Sequence, residues 1–381
     1  GYRARAALAA RRAAGFEDRA ATARRRPTLS LEGTLPAYNR AIVAVVQPDG
    51  TTRYQPQDQL LSALTATLSQ PLAFSGGDLF VSSSLERLSV SGEESFRSWS
   101  STPVTIGLRQ PIFRPNPRGW DRREQPMRAE LAERQYREAR EEIALATTNR
   151  FFDVYSARME FANATRNVAV NDTLFTLNKG RYQVGRIGED DLLQSELALL
   201  RARTSADAAR LQLERALAAL RLALRLPDDA PIEISAPTAV PEFEPDTALA
   251  VAQALRNRAL ASDARLQEVQ ARRRLSEARL ADGVGATLVA SYGFNATGAD
   301  APDAYRNLLE ARQLNLAVQV PLTPWGTHGP QVQAAEAERE RVANTTRVGL
   351  LEMAQEAHFA ALELAQARRN LALSAKADSV A

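Results

Sequence analysis

The sequence predicts an α+β chain in which long helices alternate with antiparallel strands, in an order that runs twice. Three observations carry this. Arg122 to Lys179 holds no glycine and no proline but Pro126, so roughly 55 residues can run as one helix, on the order of 80 Å at 1.5 Å per residue. Stretches before and after it alternate apolar with polar residues, the period of a strand with two unlike faces. The passage Leu108-Arg-Gln-Pro-Ile-Phe, Gly119-Trp, Ala129-Glu-Leu-Ala-Glu returns as Val318-Gln-Val-Pro-Leu, Trp325-Gly, Ala334-Ala-Glu-Ala-Glu, which makes the two halves an internal repeat.

In chain order, residues 1–26 form an Ala/Arg-rich helix that stops at Arg26-Pro27, because the residue before proline is pushed out of the helical region. Gly1-Tyr-Arg-Ala-Arg lacks a cap and has the composition of mid-helix, so further residues are expected before it, and also after Ala381. The strand region 27–113 holds four segments at about 28–37, 61–71, 78–90 and 103–113. Leu29, Leu31 and Leu35 alternate with Ser30, Glu32 and Thr34; Leu64, Ala66 and Leu68 with Thr65, Thr67 and Ser69; Val104, Ile106 and Leu108 with Thr105 and Arg109. The third segment, with Ser82-Ser-Ser84, alternates less cleanly. Long connections are expected at 38–60 and 91–102, and a short turn at Gly76-Gly77.

Prolines between Gln110 and Trp120 are expected to block both strand and helix. A helical hairpin then fills 114–226, with a tip at 180–193 where Gly180, Gly185 and Gly188 interrupt it. Leu193, Leu197, Leu200, Leu213, Leu217, Leu220 and Leu224 recur at spacings of three and four, while Leu192 and Leu199 lie on a neighbouring face. Apolar residues on two faces suggest a helix with partners on both sides, as in the wall of a helical barrel. A proline-rich linker covers 227–246, with Asp246 or Thr247 capping one helix over 247–284. Strands at about 286–295 and 313–322 fill the region 285–323, joined by a loop at 296–312, and a last helix fills 324–381.

Composition narrows the function. The 381 residues carry no cysteine, which removes disulfides, thiolate metal sites and thiol nucleophiles. A net charge of +3 comes from scattered arginines, with Lys179 and Lys376 the only lysines, and reads as solvated helix faces rather than a nucleic-acid surface. His328, in the turn before the last helix, and His358, inside it, have no partner at a metal-ligand spacing. Ser75-Gly-Gly-Asp is a turn without the Lys-Ser/Thr of a phosphate loop. Asp228-Asp229 and Asp190-Asp191 are acids on a linker and at a helix start. No enzyme, cofactor or metal site is expected. No apolar run is long enough for a membrane-spanning helix, and no signal peptide opens the sequence. Alternating strands fit either a soluble sandwich or a membrane barrel, and the sequence alone does not separate them.

The hairpin carries a resemblance. Arg181-Tyr-x-x-Gly185, then Asp191-Leu-Leu193 and Glu196, resembles the tip motif of the TolC-like outer-membrane channels of tripartite efflux pumps and type I secretion systems. Val318-Gln-Val-Pro-Leu, Trp325-Gly and the Ala/Glu-rich helix resemble that family's strand-to-helix passage. The resemblance implies an outer-membrane antiparallel β-barrel continued by a periplasmic α-helical barrel, formed by a homotrimer. It also implies a passive exit duct that docks a periplasmic adaptor (membrane fusion protein) and an inner-membrane pump, with outer-membrane lipid around the barrel. The adaptor would dock at Arg181, Tyr182, Gly185, Arg186, Asp191 and Leu192, and Glu189, Asp190 and Asp191 would line the pore tip. The second tip, expected beyond Ala381, is absent. Four strands in one repeat and two in the other depart from the family plan of two each, so a trimer would close about eighteen strands rather than twelve. The alternative is that residues 72–101 make a hairpin outside the membrane. A different class also fits the residues: a soluble periplasmic coiled-coil adaptor with a small β domain.

Overall fold

The computed structural model describes residues 2–46, 49–92, 95–227, 229–235, 243–322 and 326–380. Trp325, Asp228 and part of the proline-rich linker therefore lie outside the described residues. The described residues fold as two units, one made of Ala14–Leu131 with Leu260–Glu352, the other of Gly1–Ala13, Ala132–Ala259 and Met353–Ala381.

The first unit holds an antiparallel sheet whose strands follow chain order: β1 Thr28–Val46, β2 Thr52–Pro71, β3 Asp78–Ser91, β4 Phe96–Ile112, β5 Gly285–Gly298 and β6 Leu309–Gln319. The third segment, despite its weak alternation, is a full member: Leu68 pairs with Val81, and Val81 with Ile106. Register keeps the faces in phase across all six strands. Leu29, Leu68, Val81, Ile106 and Tyr292 fall on one rung and one face; Ser30, Thr67, Ser82, Thr105 and Gly293 make the rung beside it, on the other face. The ladder shifts at Thr34/Ala37 and Ser101/Val104, where Pro36 and Pro103 sit, because a residue without an N–H fits a bulge at no cost to the ladder.

The expected long connections are corrected. Strand β1 runs to Val46 and β2 starts at Thr52, so most of 38–60 is ribbon, turned at Asp49-Gly50 with Gly50 at φ +82°. Likewise β4 begins at Phe96, and β5 and β6 close on a 3₁₀ turn at Asp303–Tyr305. Backbone pairing extended the strands past the point where side-chain alternation stops: Ala41 to Val46 is an unbroken apolar run, which carries no period-two signal. The turn after β2 is tight, with Gly76 at φ +79° and Gly76 N–H donating to Leu72 O at 2.8 Å.

Helix α1 spans Tyr2–Ala23, α2 Pro117–Gln183, α3 Glu189–Leu224, α4 Thr247–Asn257, α5 Ala259–Ala281 and α6 His328–Val380. Helix α2 starts inside the proline cluster rather than after it, since Pro117 at a first helical position loses no hydrogen bond and Asn116 Oδ1 accepts from Gly119 N–H at 3.0 Å. His328 is the first residue of α6, not part of the turn before it. Asp246 caps α4, accepting from Ala248 N–H at 2.8 Å and Leu249 N–H at 3.1 Å.

The single helix expected over 247–284 is two. Arg258 takes an extended conformation (φ −67°, ψ 145°) and leaves the N–H of Ala259 without a helical acceptor; Glu138 of α2 supplies one at 2.9 Å. Arg258 bonds Glu356 of α6 at 2.6 Å and Glu138 at 3.4 Å. The Glu356 hydrogen bond, with Glu138 adding to it, raises the Arg258 pKa against partial desolvation. No local sequence signal marks this break, because its partners are more than ninety residues away.

In the first unit, α5 is clamped by arginines. Arg273 bonds Glu277 and Asp121 at 2.8 Å and Glu124 at 3.2 Å, while Arg274 and Arg279 reach Glu338 and Glu336 of α6. Glu124 is 1% exposed and takes a second bond from Arg128 at 2.9 Å. Glu277 foremost, with Asp121 and Glu124, pushes the Arg273 pKa above its ordinary value.

Candidate functional site

Two features have a surface that the rest of the described chain leaves largely open. The first is the sheet. Its apolar face carries Leu29, Leu31, Leu64, Leu68, Leu79, Val104, Ile106, Tyr292, Leu314, Leu316 and Val318, and all of these are exposed, Leu29 at 75% and Leu314 at 78%. An apolar patch that crosses six strands, covered only over β4 and β5 by the loop after β5, is a contact surface. No helix among the described residues is long and apolar enough to cross a membrane.

The opposite face is polar. Thr65, Thr67, Ser69, Ser82, Asp78 and Arg109 line a depression on it, and Asp78 is held by Arg118 at 2.9 Å. Phe80 projects over Gly107, where any Cβ would overlap the ring; the aromatic side chain covers the glycine backbone in place of the missing one. Hydroxyls dominate the part of this face nearer the helices, which can be wetted, while Leu61, Leu88 and Val90 lie on it farther out. Sequence reasoning identified Thr65, Thr67 and Ser69 but not Ser82 and Ser84 as their continuation. Ser83 lies on the apolar face, and a run of three serines hides the alternation that pairing reveals.

The second feature is the turn between α2 and α3. Helix α2 continues through Gly180 to Gln183, so Gly180 does not interrupt it as expected. The helix ends in a Schellman motif instead. Arg186 N–H donates to Arg181 O at 2.8 Å, Gly185 N–H donates to Tyr182 O at 2.9 Å, and Gly185 takes φ +70°. Arg181-Tyr-x-x-Gly-Arg is thus the chemistry of a helix stop. Gly188, extended, precedes α3, whose first turn is Glu189-Asp190-Asp191, three acids where the helix dipole favours negative charge.

Arg181, Tyr182, Gly185, Arg186, Glu189, Asp190 and Asp191 are all exposed, and Leu192 is half-buried. The turn therefore brings a basic pair and an acidic triplet within one short loop. An open groove beside it is lined by Asp172, Leu177, Gly180, Arg181, Val184 and Arg186. Arg203 of α3 bonds Asp172 of α2 at 3.2 Å, and Arg150 reaches Ala219 O at 2.7 Å, which holds the hairpin arms together.

The leucine stripe divides differently from its spacing. Leu199, Ala202, Ala209 and Leu220 are buried, whereas Leu193, Leu197, Leu200 and Leu224 are exposed. The more regular stripe is thus mostly a face without a partner among the described residues. Asp229 is exposed, and His358 stands edge-on to Phe359 at 5.5 Å. Among the described residues no group of three or more His, Cys, Asp or Glu side chains could hold a metal ion.

Residues 78–224 match the family described as Outer membrane efflux protein. No curated protein matches the chain. Among solved structures, the CmeC outer membrane channel of Campylobacter jejuni is similar at 16% identity and TM-score 0.59, over 92% of this chain and 65% of CmeC. The outer membrane protein VceC of Vibrio cholerae is similar at 16% identity and TM-score 0.60, over 91% and 71%. The open-state MtrE outer membrane channel of Neisseria gonorrhoeae is similar at 14% identity and TM-score 0.54, over 98% and 73%. At these identities the likeness is one of fold. The chain spans about two thirds of the length of the proteins it resembles.

Proposed function

We propose that this chain, homologous to the TolC-like outer-membrane efflux and secretion channels, forms the passive exit duct of such a system. The observation that carries the reading is the sheet: apolar on one face, hydroxyl-rich on the other nearer the helices, and unpaired along β1 and β6 among the described residues. An open sheet with two free edges is completed by pairing with other copies. A homotrimer of six-stranded sheets closes into a barrel of about eighteen strands, wide enough for an aqueous lumen. The apolar face then meets outer-membrane lipid and the polar face the lumen. The exposed leucines of α3 support the same assembly, since a neighbouring helix would cover them, and α2, α3, α5 and α6 would form the periplasmic tunnel wall. The repeated order of helix, strands and helix fits two halves of one wall. Transport through such a duct makes and breaks no bonds. Recovery from detergent-solubilised outer membrane with ion conductance in planar bilayers is the expected result; recovery from a soluble periplasmic wash would sink the reading.

In this duct the turn 180–193 is the periplasmic tip, where the adaptor of an inner-membrane pump docks. Arg181 and Arg186 are exposed cations whose backbone, rather than side chains, makes the turn. Arg181→Glu with Arg186→Glu is therefore expected to leave folding within about 0.5 kcal/mol of the parent while weakening adaptor binding roughly tenfold or more. Site-specific crosslinkers check it: capture of adaptor from positions near Asn39 and never from the tip would reverse the orientation.

Glu189, Asp190 and Asp191 are proposed to favour cations at the tip through local potential. Their conversion to Gln, Asn and Asn should lower cation-over-anion permeability in low salt. The effect should shrink near physiological salt, where the Debye length is about 8 Å. An unchanged reversal potential in single-channel recordings would remove them from the conduction path.

A further inference from the structure

Resting on the reading that the apolar face meets lipid, we infer that Arg87 and Arg97, neighbours on adjacent strands of that face and farther from the helices than its leucines on β3 and β4, bind the phosphate groups of a phosphorylated saccharolipid in the outer leaflet. Register brings Arg87 and Arg97 together, Arg87 facing Trp99 and Arg97 facing Ser89, whereas Arg312 shares the rung of Leu68, Ile106 and Tyr292 nearer the helices, and Arg40 lies farther out with the exposed Ile42 and Val46 beyond it. On four strands the next residue of the same face beyond an apolar or aromatic side chain, moving away from the helices, is arginine. Arg40 follows Tyr38 on β1, Arg87 follows Leu85 on β3, Arg97 lies beyond Trp99 on β4, and Arg312 beyond Leu314 on β6. On β2 the corresponding residue beyond Leu60 is Asp58, which pairs with Arg40 at 3.7 Å. Over β4 and β5 the loop after β5 folds onto this face. Ala304 is fully buried there, its carbonyl takes a hydrogen bond from the Ser101 hydroxyl, and Arg306 sits on the same loop.

Two arginines use aromatic neighbours as a platform, Arg87 over Trp99 at 5.7 Å and Arg312 over Tyr292 at 5.8 Å. Arg40, Arg306 and Arg312 have acidic partners in Asp58, Asp303 and Glu310. Arg87 and Arg97 have no carboxylate partner among the described residues, and the Nε of Arg87 is shut off from solvent with no hydrogen-bond acceptor. An apolar band bordered by aromatic side chains and unpaired guanidinium groups fits a lipid whose acyl chains lie below and whose phosphates lie at the border. Guanidinium binds phosphate through paired N–H donors, and its apolar stem can lie along the acyl region.

The test uses the purified full chain in neutral detergent, with bisphosphorylated lipid A, its dephosphorylated form and phosphatidylglycerol as probes. Retained lipid is read by native mass spectrometry. Lipid A is expected to bind above the other two, about fivefold less to Arg87→Gln and about twenty-five-fold less to Arg87→Gln with Arg97→Gln, with Arg87→Lys intermediate. Circular dichroism checks that the variants keep their sheet. Equal binding of lipid A and its dephosphorylated form, or of phosphatidylglycerol, overturns the proposal, as does a double variant that binds like the parent. A chain that binds lipid A but conducts no ions upholds the Arg87–Arg97 site and sinks the duct; one that conducts but ignores the phosphates does the reverse.

Discussion

Leu68→Arg is expected to cost about 2–4 kcal/mol of barrel stability and Thr67→Arg close to nothing, although the two positions are adjacent. Leu68 lies between Leu29 and Val81 on the apolar face, and Thr67 between Ser30 and Ser82 on the polar one. Charge on the lipid side pays the cost of the bilayer interior; charge on the lumen side stays in water. Refolding into lipid vesicles across a urea series measures the difference. Equal penalties would mean that both faces are buried against protein, as in a sandwich, and a lower penalty at Leu68 would reverse the faces.

The second large effect is expected at Arg273. Its guanidinium partners Glu124, which is 1% exposed. Removing one member of a buried pair typically costs 3–5 kcal/mol because the other charge stays buried, and Arg128 remains on Glu124 here, so about 2–3 kcal/mol is expected for Arg273→Met. Restoring neutrality with Glu124→Gln in the same chain should recover most of it. Denaturation of the four variants of this cycle reads the coupling directly; additive losses would show that the two side chains act independently. Sequence gave no hint of this network, because Arg272-Arg-Arg274 looks like a solvated run and Glu124 like any acid in an early helical turn.

Other parts were legible for physical reasons. Alternation at Leu29–Leu35, Leu64–Ser69 and Val104–Arg109 exposes a sheet with unlike faces, and the glycine at 185 marks a helix stop that the backbone does take. Features that depend on distant partners were not legible. The ribbon beyond Tyr38 needed its mate at Pro56 to Leu60, and the break at Arg258 needed Glu138 and Glu356. The leucines of α3 misled because spacing shows a stripe without saying which stripe the chain itself covers. The tip acids and the basic pair were visible as residue types, yet their shared loop comes from Gly185 and Gly188 together.

The measurement that bears most directly on the account is electron cryo-microscopy of the detergent-extracted full chain. The account predicts a threefold particle whose closed sheet has about eighteen strands, with β3 hydrogen-bonded between β2 and β4 and β6 of each copy joined to β1 of the next. A closed sheet that excludes β3, or a particle in which β1 and β6 stay unpaired, would contradict it.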